Sequence, residues 1–161
     1  MRYRPLPAES RIREFIDYDP ISGEMIDRLT GFPAGSVCPK GYRFVSFDGT
    51  SWRASRIAFK LANGRDPVGE IDHINCNRGD DRASNLREAT RAENNRNVRR
   101  RKDNKSGYKG VCLEPRTQKW RALISIGGRQ RSLGAFKTPK EAHAAYSAAA
   151  QLEYGAFART S

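Results

Sequence analysis

Asp72 and His73 stand side by side, Asn85 follows at the end of a polar loop, and Asn94 lies beyond a second short apolar stretch. Carboxylate and carboxamide oxygens suit a hard cation such as Mg²⁺ or Mn²⁺, which keeps several water sites and leaves most of its octahedron open. An imidazole is largely neutral at pH 7 and can take a proton from water, generating hydroxide. These residue types describe a cage for one divalent ion beside one general base. Each has a plainer reading: His73 as a loop histidine satisfied by hydrogen bonds, Asp72 as an acid capping a turn, Asn94 as an exposed helix polar. Asn97 lies three residues beyond Asn94 along the same face and is the alternative ligand. The other histidine, His143, sits in an alanine-rich helical stretch and reads as a partly exposed helix residue.

The elements that must position these groups are legible. Val68 and Ile71 make a short apolar approach that ends as a strand at Asp72-His73. A loop rich in Asn, Arg, Gly and Asp follows, too hydrophilic for a core, and Leu86-Arg87-Glu88 reads as a returning strand. Thr90-Arg91-Ala92-Glu93 is a capping box, with Thr90 as N-cap and Glu93 at N3, opening a helix to about Arg100. The order is strand, loop, strand, helix. It serves catalysis only if Asp72 and Asn94 fall on one side and His73 is open to solvent or nucleic acid.

Asp72-His73-Ile74-Asn75, Asn85-Leu86-Arg87 and Asn94-Asn95-Arg96-Asn97 resemble the ββα-metal motif of HNH endonucleases, in the phage and intron-encoded homing branch where the last His is Asn. The resemblance implies His73 as general base, Asp72 and Asn94 on one Mg²⁺ or Mn²⁺ ion, and Asn85 bracing the loop that orients His73. It implies DNA hydrolysis leaving 5′-phosphate and 3′-hydroxyl ends. The family often has His-Arg where Ser55-Arg56 stands, Gly at Cys76 and Asn at Asp81, so no role passes to Ser55.

Residues 8–17 predict a short helix ended by Asp19-Pro20, Glu24 to Leu29 a strand, and Gly31 to Gly41 a loop. Tyr42 to Phe47 and Ser51 to Arg53 predict a hairpin turning at Asp48-Gly49, and Ile57 to Ala62 a helix closed by Asn63-Gly64. Arg53, Arg56 and Lys60 are placed as facing phosphate. Lys102 to Gly107 is polar and reads as linker. Beyond it Tyr108 to Leu113, Lys119 to Ile126 and Arg129 to Phe136 predict three antiparallel strands. Thr138-Pro139-Lys140-Glu141 is a second capping box, opening a helix striped by Ala142, Ala145, Tyr146, Ala149 and Leu152. This part resembles the Apetala-type (ethylene-response-factor) DNA-binding domain, which reads DNA with its exposed sheet face. The expected fold is α+β: a small ββα-metal HNH nuclease domain over 1–100, with its core at about 69–99, then a basic linker over 101–106. The Apetala-type domain, over 107–161, is a three-stranded antiparallel sheet packed on one helix.

The 161 residues carry a formal charge of +12. Thirteen Lys or Arg lie between Arg91 and Arg131 against only Glu93, Asp103 and Glu114, which points to a polyanion. The expected duplex contacts are Arg78, Arg82, Arg96, Arg99, Arg100, Arg101, Lys102, Lys109, Arg116, Lys119, Arg121, Arg129 and Arg131. Cys38, Cys76 and Cys112 are isolated, with neither zinc spacing nor a disulfide framework. No apolar run spans a membrane and no signal-peptide core opens the chain. The expectation is therefore a cytoplasmic protein of a bacterium or phage-infected host, a monomer or homodimer on double-stranded DNA, without zinc, small-molecule substrate or membrane. Its rivals are a DNA-binding regulator with an inactive nuclease core and an RNA-binding basic protein. The second is disfavoured because the sheet lacks paired exposed aromatics.

Overall fold

A computed structural model describes residues 4–100 and 103–160, and the fold is mixed α+β. The chain divides into two compact units, Met1–Asn94 and Asn95–Ser161. Arg101 and Lys102, expected at the linker and on DNA, lie outside the described residues.

In the first unit, helix α1 (Glu9–Phe15) is shorter than predicted. Ile16 turns extended and starts β1 (Ile16–Tyr18), which pairs antiparallel with β2 (Met25–Asp27) before Asp19-Pro20 is reached. A buried β-branched side chain at the junction favours the strand over another helical turn. The expected loop contains a short strand, β3 (Ser36–Val37), paired with β4 (Arg43–Phe47). The next strand, β5 (Thr50–Arg53), returns from β4 through Asp48 and Gly49, both at positive φ, the geometry of a tight two-residue hairpin. Helix α2 (Ala54–Asn63) is buried on almost every side and ends at Gly64 in the left-handed region. Its Ile57, Ala58, Phe59 and Leu61 join Ile12, Ile16, Met25, Val45, Phe47 and Trp52 in one core, which also takes in Ile71 and Leu86. The hairpin β6 (Glu70–His73) and β7 (Leu86–Ala89) is therefore anchored on that core, whereas Val68, expected to help, is 88% exposed. Helix α3 (Arg91–Asn97) follows.

The second unit is a sheet ordered β10-β9-β8, made of β8 (Val111–Glu114), β9 (Lys119–Ile126) and β10 (Arg129–Phe136), with α4 (Pro139–Tyr154) against it. Tyr108 to Gly110, expected as strand, is turn; Gly110 sits at φ +75 beneath the Tyr146 ring. Val111, Ala122 and Ile124 meet Ala142, Tyr146, Ala150 and Tyr154 in the core, with Trp120, Ala145 and Ala149 partly buried around them. Leu152, predicted on the packed stripe, points to solvent; the stripe runs instead through Ala150 and Tyr154. The Tyr154 hydroxyl donates to the Ser125 carbonyl at 2.6 Å, tying the end of α4 to the sheet.

Candidate active site

The backbone entering β6 is held from α2. The Arg56 guanidinium is buried and donates to the carbonyls of Pro67 and Gly69 at 3.2 and 3.0 Å, while Lys60 pairs with Asp66 at 2.6 Å. Both were expected to face phosphate; both instead fix the fold, by bonds that a charge strengthens.

Along β6, Glu70 and Asp72 are two apart and share a face. Opposite Asp72 in the antiparallel ladder stands Arg87, whose Nε and Nη2 hold Asp72 Oδ2 at 2.9 and 2.8 Å. Thr90 and Glu93 form the expected capping box: Thr90 N–H donates to Glu93 Oε2 at 2.7 Å and Glu93 N–H to Thr90 Oγ1 at 3.3 Å. The box starts α3 so that Asn94 falls in its first turns, where Asn94 Nδ2 donates to Glu70 Oε2 at 2.6 Å. Asp72 and Asn94 thus lie toward the same face of β6, with Glu70 beside both. Asn97 is buried farther along the helix and belongs to the second unit.

Among the described residues, no three His, Cys, Asp or Glu side chains gather as a metal-holding group. The donors present are oxygen: the Asp72 and Glu70 carboxylates and the Asn94 amide, whose Oδ1 accepts no hydrogen bond among the described residues. That set fits a cation that keeps several waters, and does not fit a closed protein cage or a soft metal. Arg87 already sets one positive charge on Asp72.

His73 ends β6 opposite Leu86, on the strand's other face. It is 4% exposed, so the open imidazole required above is absent. Its Nε2 stands 3.1 Å from Asp81 Oδ1, and its ring lies 6.3 Å from that of Tyr42, centroid to centroid. Asp81 is itself buried, and its Oδ2 has no hydrogen-bond partner among the described residues. The Tyr18 hydroxyl donates to the Asp81 carbonyl at 2.8 Å, and burial pushes that phenol up to about 12. The loop predicted as too polar to be buried therefore sends one carboxylate inward. Asn85 is buried too and closes the loop: its Oδ1 accepts from Asn75 N–H at 3.0 Å, and its Nδ2 donates to Asn75 Oδ1 at 3.0 Å and to the Asp80 carbonyl at 2.8 Å.

Glu70, Asp81, Arg87 and Tyr42 escaped the sequence reading. Alternation along a strand that ends at His73 gives Glu70, and the hairpin register gives Arg87. Nothing in the pattern gives Asp81 or Tyr42, because an irregular loop and a distant strand bring them to His73.

The basic residues divide into engaged and open. Arg82 pairs with Asp80, Arg121 with Glu114 at 3.1 Å, and Lys109 Nζ donates to the Arg96 and Val98 carbonyls at 2.6 and 2.8 Å. Arg96 lies over the Tyr154 ring and Arg100 donates to the Asn104 carbonyl. Arg78, Arg99, Arg116, Lys119, Arg129 and Arg131 are exposed with no carboxylate partner among the described residues. On the sheet, Arg121, Leu123 and Ser125 point away from the face that meets α4, as do Gln130 and Ser132 by register.

Residues 53–96 match the model of the HNH endonuclease family, so this stretch is an HNH endonuclease domain. The chain is also 37% identical over 75 residues to Protein 3.8 of Escherichia phage T7; the match covers 46% of this chain and 62% of that relative's length. No solved structure matches the chain. Among the described residues, no helix is long and apolar enough to cross a membrane.

Proposed function

We propose that the chain is a homing-type, metal-dependent DNA endonuclease, positioned on duplex DNA by its second unit. The observation that carries this reading is the approach of Asn94 to the face of β6 that bears Asp72, immediately before a histidine backed by a carboxylate, inside an HNH endonuclease domain. Asp72 and Asn94 would hold one Mg²⁺ or Mn²⁺, with Glu70 beside them. When bound, the ion supplies positive charge to neutralise the phosphorane and the departing 3′ oxygen. His73 takes the proton of the attacking water, and Asp81 holds the imidazole and stabilises it once charged. Asn85 keeps the loop that carries Asp81 closed. Because His73 is buried, cutting requires the wall at Tyr42 or the 74–85 loop to yield when DNA docks. Arg87 must also share Asp72 with the ion.

Arg116, Lys119, Arg129 and Arg131 have no carboxylate partner among the described residues, which suits backbone phosphate more than base reading. A monomer with one such site nicks; a dimer cuts both strands.

A second reading is a DNA-binding protein with a silent nuclease core, favoured by the burial of His73 and by the Arg87–Asp72 ion pair. Supercoiled plasmid incubated with Mg²⁺, Mn²⁺ or EDTA separates the two. The nuclease nicks only with metal, and His73→Ala abolishes nicking while duplex binding remains. Binding without cleavage by the unaltered chain under every metal establishes the silent binder.

A further inference from the structure

Beside His73, on the Tyr42 side, three hydrogen-bonding groups gather that the mechanism above does not use. The guanidinium carbons of Arg53 and Arg78 each stand 4.6 Å from the centroid of the Tyr42 ring, so the two cations lie within roughly twice that distance of each other. They come from different parts of the fold: Arg53 ends β5, Arg78 belongs to the loop after β6, and Tyr42 directly precedes β4. Arg78 Nη1 donates to the Lys40 carbonyl at 2.9 Å, which orients its fork. Neither guanidinium has a carboxylate partner among the described residues, and neither do Lys40 and Arg43 nearby. The Tyr42 hydroxyl makes no hydrogen bond among the described residues. Two forks held on one aromatic ring lose less freedom on binding than two solvated arginines, and planar forks match the oxygens of a phosphate.

We propose that Arg53, Arg78 and the Tyr42 hydroxyl form one phosphate clamp, which takes a phosphodiester of the DNA strand adjacent to the one presented at His73. This rests on the nuclease reading for the identity of the strand, though not for the anion site itself. Arg78 alone would be one more backbone contact. Arg53 and Tyr42 make it a site, and the ring places that site next to the imidazole.

The salt dependence of binding counts the phosphates neutralised, about 0.9 per phosphate in the slope of log K against log salt. Two arginines on one phosphate therefore have a different signature from two on separate phosphates. The full chain is titrated onto a duplex in EDTA across a salt series, as wild type, Arg53→Gln, Arg78→Gln and the double variant. Arg13→Gln with Arg28→Gln serves as the charge-matched control. The clamp predicts that each single variant leaves the slope nearly unchanged, because the remaining arginine still neutralises the phosphate, that the double variant lowers it by about 0.9, and that the control leaves it unchanged. Tyr42→Phe, which keeps the ring, weakens binding about threefold without changing the slope, as for one lost hydrogen bond. An additive loss of about twice 0.9, or no loss beyond the control, overturns the clamp. The same proteins are assayed for plasmid nicking with Mg²⁺. A wild type that never nicks but shows the non-additive slope loss refutes the nuclease reading and leaves the clamp standing. A wild type that nicks, with the slope untouched in the double variant, does the reverse.

Discussion

Asp81 is the residue whose chemistry is most exposed to test, because a buried carboxylate with one oxygen on His73 and the other without a partner among the described residues sits at a cost. Asp81→Asn keeps an acceptor for the ring and removes the buried charge, so its melting temperature should equal or exceed that of wild type. Asp81→Ala removes a buried hydrogen-bond partner of His73 and should lose about 1–3 kcal/mol in chemical denaturation. A destabilised Asn variant would show that the carboxylate charge itself stabilises the loop. Asp80, next to it, behaves oppositely. Its hydrogen bonds from Arg82, with further ones from Asn75, hold its carboxyl down to about 2. A folded value below the unfolded one means that the contribution is present above about pH 4 and is lost as pH falls through 2. Asp80→Asn should therefore melt below wild type at neutral pH, with the two curves converging near pH 2. Parallel curves across that range would sink this account of the loop.

At the level of elements, the two capping boxes show why sequence reading works where a structural signal is local. Thr90 with Glu93 and Thr138 with Glu141 each close reciprocal bonds with backbone amides that a helix start leaves open. The hairpin at Asp48-Gly49, the Gly64 cap and the β9–β10 hairpin are local signals too, and stand where the sequence puts them, whereas β8 starts three residues later than expected. The core stripe of α4 drifted to Ala150 and Tyr154 because which face packs depends on the sheet it meets. The short strands β1 and β3 were invisible, being two or three residues long and stabilised only by partners elsewhere in the chain. In the candidate site, the spacing of Asp72, His73, Asn85 and Asn94 was legible and the hairpin register places Arg87 across from Asp72, whereas Asp81 and Tyr42 reach the imidazole only through folding. Gly110 is a prediction of the same kind. A Cβ there would come within 2.1 Å of the Tyr146 ring at a φ of +75. Gly110→Ala should cost more than the 1–3 kcal/mol of backbone strain alone, and should do so in the second unit. Hydrogen exchange would show lost protection in β8–β10 with β6 and β7 unaffected; uniform loss across both units would contradict two separate cores.

For the molecule as a whole, the nuclease proposed above would divide chemistry from attachment between its two cores. The first unit carries the HNH domain, and the second holds four exposed cations, Arg116, Lys119, Arg129 and Arg131, with no balancing carboxylate among the described residues. Charges placed this way act on any duplex and are weakened by salt, because the favourable step is the release of condensed counterions. Replacing all four with Gln should make the slope of log K against log salt shallower by up to about 3.6, if each meets its own phosphate. Affinity at low salt should fall by orders of magnitude. The rate of nicking at saturating DNA should stay within about threefold, because the barrier is lowered at β6 and not at the sheet. The pattern matters more than either number. A loss confined to half-saturation means that the second unit brings DNA to the site. An equal loss in the rate at saturation means that the sheet also sets how the strand lies against His73, and the two units then act as one.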